Sequence, residues 1–448
     1  MQTPCVLSFS LLCLGTAGFA GQNPATGQNQ PPAQNQNAEQ NPNTGQADTP
    51  AVPGLPPDVP SAQRVTLAEA LRIAAQNNPQ LTASVHQVAS AQANLSGQKQ
   101  PVNPNLFITG ITNTPSGLDP SDPTRYGVIY TLETSGRQRW RMGQARAQLQ
   151  GTQADAVTTR LTVQQTTASA YADLQTANSN LQTEREAYDT AKRLYDLTTK
   201  RVDLGDAPAS NATRTRIAVT QEEQNLDKAV TAVRQARAVL NIQLGRDPEL
   251  PIDAADPLAF TALTLKLEDL QKLALQSRPE LRSAEANRRA LDNIVKLQRS
   301  QSYPDLQFGA NPRTIGDSQV EIAVALPLFD FGSIRGAVNK AKEDVKVQDA
   351  QIVQVQQQIR LDVQNAYIAL TQSQRLIASF QDGILPRTQT LLNQVQQGYA
   401  LGASSILDVI DAQQTYRSAR NDYNNALGDH RRALAQLQRA LGAPIPTR

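Results

Sequence analysis

Hydrophobic and polar positions along this chain follow one pattern, written twice. "TLAEALRIAAQNNPQL" (66–81) aligns with "KLEDLQKLALQSRPEL" (266–281) at an offset of 200, which also pairs Pro104 and Leu106 with Pro304 and Leu306. The offset then falls to 196, matching Leu132, Gly136, Arg139 and Tyr171 to Leu328, Gly332, Arg335 and Tyr367. Further on it is 197, matching Leu204, Gly205, Leu240 and Gly245 to Leu401, Gly402, Leu437 and Gly442. A period this long is a duplicated half, not a solenoid unit. The halves are placed at 62–250 and 251–448.

Each half repeats the same order of elements. A helix is broken at Asn78-Pro79 or Arg278-Pro279, because proline suits the first turn of a new helix. Alternating apolar positions then predict strands near 105–111, 125–133, 305–311 and 318–328, with Tyr126, Val128, Tyr130 and Leu132 as one run. Next comes a Pro-free stretch, 137 to about 204 or 332 to 385, long enough for a helix of roughly 100 Å. In the second copy Val345, Ile352, Ile359 and Ala366 step by seven, and so do Val363, Leu370, Ile377 and Ile384. Two heptad lines on one helix mean two helical neighbours, as in a coiled-coil sheet or tube. Leu385-Pro386 should interrupt that helix. A Gly turn at 205 or 402 reverses the chain, and the returning helix ends at Gly245 or Gly442, both placed as C-caps.

Composition fits this reading. Aromatics are 4% and the formal net charge is +2 across 448 residues, so a nucleic-acid partner is not expected. The run "CVLSFSLLCLGTAGFA" ending in Gly18-Phe19-Ala20 predicts a signal peptide over 1–20, although it carries no basic n-region. Both cysteines, Cys5 and Cys13, lie inside it, and a lipid-anchored Cys13 lacks the usual small residue before it. Residues 21–61 are rich in Gln, Asn and Pro and predict a disordered leader. Four strands of membrane-spanning length cannot stand alone in lipid, since open edges leave backbone groups unpaired. Chains must pool strands, and three copies give twelve. The expected fold is therefore mainly α with a small membrane β-barrel: internally duplicated, trimeric, twelve-stranded, and continued by a long α-helical barrel.

Here the sequence resembles the TolC family of outer-membrane efflux factors. The resemblance rests on "PLFDFGSIRGAVNKAKEDV" (327–345), "GYALGASSILDVIDAQQTY" (398–416) and "DHRRALAQLQRALG" (429–442), and it covers residues 62 to 445. It implies a homotrimer in the bacterial outer membrane with its helical barrel in the periplasm. It also implies docking to a periplasmic adaptor and to an inner-membrane pump of RND or ABC type. The expected function is a passive exit duct for small molecules. A polypeptide-secretion channel and a pore-less coiled-coil envelope protein are the alternatives.

The resemblance places an aperture at "LDVIDA", where Asp408 and Asp411 would form stacked carboxylate rings. Read from the residues alone, the same pair serves as first-turn acids on a helix. Tyr399 belongs to the implied gate, while Ser404 stands where the family often carries an arginine. Leu204, Gly205, Leu401 and Gly402 are candidate adaptor contacts at the hairpin tips, or plain turn residues. Trp140, Tyr126, Tyr130 and Phe308 are candidates for the membrane interface. His86 and His430 are isolated on helices and do not suggest a metal. No phosphate loop, metal-ligand cluster or nucleophile motif is present, so no cofactor and no enzymatic activity are expected.

Overall fold

The computed structural model describes residues 62–109, 125–314, 317–325 and 330–446. The expected signal peptide and leader lie outside these residues, as do 110–111 and 326–328 of the expected strands.

The first half runs β1 (Gln63–Val65), α1 (Leu67–Asn77), α2 (Pro79–Gln98), β2 (Asn105–Thr109), β3 (Arg125–Leu132), α3 (Arg137–Asp203) and α4 (Ala209–Gln243). The second runs β4 (Ile252–Ala254), α5 (Leu267–Ser277), α6 (Pro279–Ser300), β5 (Asp305–Thr314), β6 (Asp317–Ala325), α7 (Ser333–Ser379), a π-helical turn (Phe380–Ile384), α8 (Leu385–Ala400) and α9 (Ile406–Leu441). Both proline breaks are present, with Pro79 and Pro279 opening α2 and α6. β5 runs three residues beyond the expected 311, to Thr314.

The duplication is also a duplication of cores. Ala70 and Ala74 of α1 pack with Ala170 and Leu174 of α3 and with Leu240 beside Leu244. Leu270 and Ala274 of α5 pack with Ala366 and Leu370 of α7 and with Leu437 and Leu441 of α9. Each short helix thereby wedges into the groove of a long hairpin. Tyr171 anchors the first wedge, donating to the carbonyl of Val65 and the carboxylate of Asp256, each at 3.0 Å. Burial pushes its phenol up to about 12; the Asp256 N–H, donating to the phenol oxygen, opposes the shift and the Asp256 carboxylate adds to it. Its counterpart Tyr367 donates to the carbonyl of Leu265 at 3.3 Å.

The heptad lines hold over most of α7. Ile359, Val363, Ala366, Leu370 and Ile377 are buried. The second line ends at Ile384, which is exposed at the π-turn. The cause is Pro386, which has no N–H to donate and whose ring crowds the preceding turn. The chain widens by one residue, so that Leu385 donates to Phe380, and then resumes as α8. With no proline, α3 runs unbroken for 67 residues.

Two features lie outside the sequence expectations. β1 and β4 form a parallel ribbon, Gln63 to Ile252 and Val65 to Ala254, that closes the first core with Val65 and Ile252. Arg417 of α9 also bridges the halves, 3.2 Å from Glu184 of α3 and 3.5 Å from Glu222 of α4.

Gly245 has φ +67 and seats against α1, where an added Cβ would lie 2.3 Å from the carbonyl oxygen of Asn77. At Gly442, also φ +67, the corresponding approach to Arg278 is 3.2 Å. Gly245→Ala should therefore cost at least about 2 kcal/mol, and clearly more than Gly442→Ala, because strain and a backbone clash coincide there. Thermal unfolding of the two variants checks this; equal losses would contradict it.

Candidate functional site

The four-stranded sheet is antiparallel in the order β2-β3-β5-β6. Its register sets Leu106 beside Val128, Ala310 and Val320, then Tyr130 beside Phe308 and Ile322, then Leu132 beside Leu306 and Val324. Side chains alternate across a strand, so these positions share one face. That face is apolar throughout and open to its surroundings: Val320 is 78% exposed, Leu106 70% and Ile322 67%. The other face carries Asn105, Ile129, Gly309 and Glu321 in one row and Thr131, Gln307 and Ala323 in the next. Such alternation is what a strand needs with lipid on one side and water on the other. No helix among the described residues is long and apolar enough to cross a membrane.

Tyr130 and Phe308, candidates for the membrane interface, pair with each other on the apolar face. Tyr126 lies in β3 opposite Ile108, its side chain outside the described set. Trp140 is half-buried in the first turns of α3, between the guanidinium of Arg139 at 5.3 Å and the ammonium of Lys296 at 5.0 Å.

The sheet marks one end of the molecule and the hairpin tips the other. Arg137, the first residue of α3, pairs with Asp305 of β5 at 2.5 Å. The far end of α3, roughly 100 Å away at ~1.5 Å per residue, is the α3–α4 tip. The α8–α9 tip lies beside it. Tyr399 is buried there, with its hydroxyl 3.4 Å from that of Thr198, while Arg201 donates to the Tyr399 carbonyl at 3.1 Å. The Arg201 guanidinium also covers the Tyr399 ring at 5.1 Å. Sequence reasoning missed Arg201, which comes from the other repeat; no local pattern connects it to Tyr399.

The two tips share one backbone design. Gly205 (φ +81) donates to Val202 and Asp206 to Arg201; Gly402 (φ +78) donates to Tyr399 and Ala403 to Gly398. These paired bonds close each helix with a left-handed glycine. Just before each glycine a leucine projects outward, Leu204 76% and Leu401 85% exposed.

Ser404 is half-buried, and its N–H reaches the Gly398 carbonyl at 3.2 Å. Ser405 then caps α9. The carboxylate of Asp408 accepts from the Ser405 N–H at 2.8 Å, and the Ser405 hydroxyl accepts from the Asp408 N–H at 3.3 Å. Asp408 is therefore a first-turn acid in a capping box. Asp411, one turn on, is exposed and has no partner among the described residues. Of the two aspartates, Asp411 is the one whose charge the fold does not use.

His430 is fully buried, with Nε2 donating to the Thr261 carbonyl at 3.1 Å and Nδ1 3.2 Å from the Ser373 hydroxyl. Burial lowers its pKa. His86 is exposed on α2. Among the described residues no group of three His, Cys, Asp or Glu side chains could hold a metal ion.

A sheet with one lipid-compatible face, set at one end of two long helical hairpins, defines a class: subunits of outer-membrane channels with a helical extension. The family model for "Outer membrane efflux protein" matches residues 70–246 and 270–443, one segment in each repeat. The chain belongs to the outer membrane efflux protein family. It is 24% identical over 379 residues to the cobalt-zinc-cadmium resistance protein CzcC of Cupriavidus metallidurans, covering 83% of this chain and 88% of that protein. It is 24% identical over 340 residues to the probable efflux pump outer membrane protein TtgC of Pseudomonas putida, covering 72% of this chain and 69% of the relative. Its fold matches the outer-membrane channel OprN with a TM-score of 0.71 at 19% identity, over 84% of this chain and 90% of that one. The protein is an outer-membrane efflux channel whose helices extend into the periplasm.

Proposed function

We propose that three copies of the chain pool their sheets into one twelve-stranded barrel and their hairpins into one periplasmic tunnel. The observation that carries this is the open sheet. Among the described residues its outer strands, β2 and β6, each offer an unpaired edge, and its apolar face is uncovered. Unpaired backbone groups are costly in lipid, and closure with further copies removes both edges. The leucine-bearing tips at the far end then face a periplasmic adaptor, which couples the duct to an inner-membrane pump of RND or ABC type. The cargo is a small solute, a metal ion or a drug-like compound, as the names of CzcC and of the antibiotic efflux pump outer membrane protein ArpC of Pseudomonas putida suggest for those relatives.

Within this assembly the α8–α9 tip is the gate. Three Asp411 carboxylates ring the constriction, with the capping Asp408 carboxylates one turn away. Arg201 holds Tyr399 and supplies from α3 the tie that an arginine at position 404 would otherwise give. The test is single-channel conductance in a planar bilayer, titrated with divalent cations. Wild type should give a small, cation-preferring conductance that divalents block. Asp411→Asn should weaken the block several-fold while leaving the α9 cap intact, and Asp408→Asn/Asp411→Asn should nearly remove it. An unchanged block in the double variant would take the aspartates out of the constriction. A protein that never conducts would count against the barrel itself.

A further inference from the structure

We propose that the junction between sheet and helices is a cationic collar that binds anionic phospholipid headgroups. The proposal rests on the reading that the sheet lies in a membrane.

At this junction α2 and α6 end while α3 and α7 begin. Gln138 donates to the Lys99 carbonyl at 2.7 Å, and Arg137 donates to the Tyr303 carbonyl at 3.3 Å, which gathers the four segments Lys99, Gln138, Ser300–Tyr303 and the start of β5. Two junction carboxylates are already engaged: Glu133 by Arg141 at 2.6 Å and Asp305 by Arg137 at 2.5 Å. Lys99, Arg139, Lys296, Arg299 and Arg335 remain, all exposed and none with a carboxylate partner among the described residues.

Their placement follows the internal repeat. Lys99 and Arg299 correspond at the offset of 200, and Arg139 and Arg335 at 196. Each of the latter pair is the third residue of its long helix, directly after a left-handed glycine, Gly136 at φ 69 or Gly332 at φ 88. The first turn of a helix disfavours cations, because its dipole is positive there. The helices therefore gain nothing from Arg139 and Arg335, and no acid among the described residues pairs with them.

An anionic surface does answer them. The apolar face of the sheet ends at Leu132, Leu306 and Val324, and Arg139 and Arg299 each stand seven residues along the chain from that limit. This is the depth of lipid phosphates at the edge of an inserted barrel, where basic side chains sit on their headgroups. Trp140, held between Arg139 and Lys296, is a ring suited to the same layer. Tyr303, just after α6, and Phe331, just before α7, are 59% and 98% exposed at the same helix ends.

The test reconstitutes the purified protein into vesicles of mixed phosphatidylcholine and phosphatidylglycerol, re-extracts it in mild detergent and measures the lipid that stays bound. Phosphatidylglycerol should be enriched above its share of the vesicle, and added salt should erode the enrichment. The variant Lys99→Gln/Arg139→Gln/Arg299→Gln/Arg335→Gln should lose about ten-fold or more of that preference, since each cation near a charged surface contributes roughly five-fold. If this variant fails to insert, Arg139→Gln/Arg335→Gln and the salt dependence of wild type decide the matter. Insertion without enrichment, or enrichment unchanged in the variants, overturns the collar and leaves the channel standing. A wild type that does not insert into the mixed vesicles overturns both.

Discussion

Arg278→Ala should lower the unfolding free energy by about 3 kcal/mol. Arg278 sits where α5 breaks into α6, with only 4% of its side chain exposed. One terminal nitrogen donates to the carbonyls of Arg439 and Ala440 at 3.2 and 3.3 Å, at the open C-terminal end of α9. The other pairs with Asp362 of α7 at 2.8 Å. Its Nε lies 3.0 Å from Glu280 but is not aligned as a hydrogen bond, so that contact is electrostatic alone. Alanine would strand two helix-end carbonyls and one partly buried carboxylate together. Asp362 and Glu280 keep 27% and 26% exposure, which sets the figure at the low end of what breaking a buried pair costs. The first repeat offers an internal control. Asn78 stands at the equivalent joint and donates to the Gln243 carbonyl at 2.9 Å, with no charge involved. Asn78→Ala should therefore cost only about 1–2 kcal/mol. Denaturant unfolding of both variants against Arg72→Ala, an exposed arginine, reads the difference. If Arg278→Ala matches Arg72→Ala, the joint is not held by its guanidinium.

The contrast between Asn78 and Arg278 also shows what the sequence makes legible. The repeat, the proline breaks, the glycine turns and the aspartate pair are local signals, carried by φ/ψ limits or by spacing within one element. They place every long element and the position of both tips. The β1–β4 ribbon has no such signal: three residues pair with three others across a gap of nearly 190, too short to show a period. Arg201 over Tyr399 and Arg417 between Glu184 and Glu222 are likewise contacts between repeats, and charge on a helix face looks the same whether it meets water or another hairpin. The double role proposed for "LDVIDA" was visible as two readings of one pair. Only the capping box separates them, assigning Asp408 to the helix end and leaving Asp411 free of the fold.

Leu204→Asp/Leu401→Asp should abolish export in cells while the protein remains in the outer membrane at normal abundance. A single exposed leucine on a surface needs no explanation. Here two stand at equivalent repeat positions, 76% and 85% exposed, each on the last residue before a left-handed glycine. The capping bonds of Gly205, Asp206, Gly402 and Ala403 are all made by backbone groups, so neither leucine side chain is needed to form its turn. The fold thus holds both leucines outward at no benefit to itself. In a trimer six such side chains would ring the tunnel mouth, each worth about 1.5–3 kcal/mol if buried by a partner. Aspartate would remove that gain and bring a charge that must be desolvated at the same contact. Loss of docking should then be close to complete, and cells should become as sensitive to exported compounds as cells lacking the gene. Leu204→Ala/Leu401→Ala should fall between, because part of the apolar contact survives. Purified Leu204→Asp/Leu401→Asp should conduct in a planar bilayer as wild type does, since its pore and gate are intact. Export at wild-type level in the double aspartate variant would move the adaptor contact off the tips.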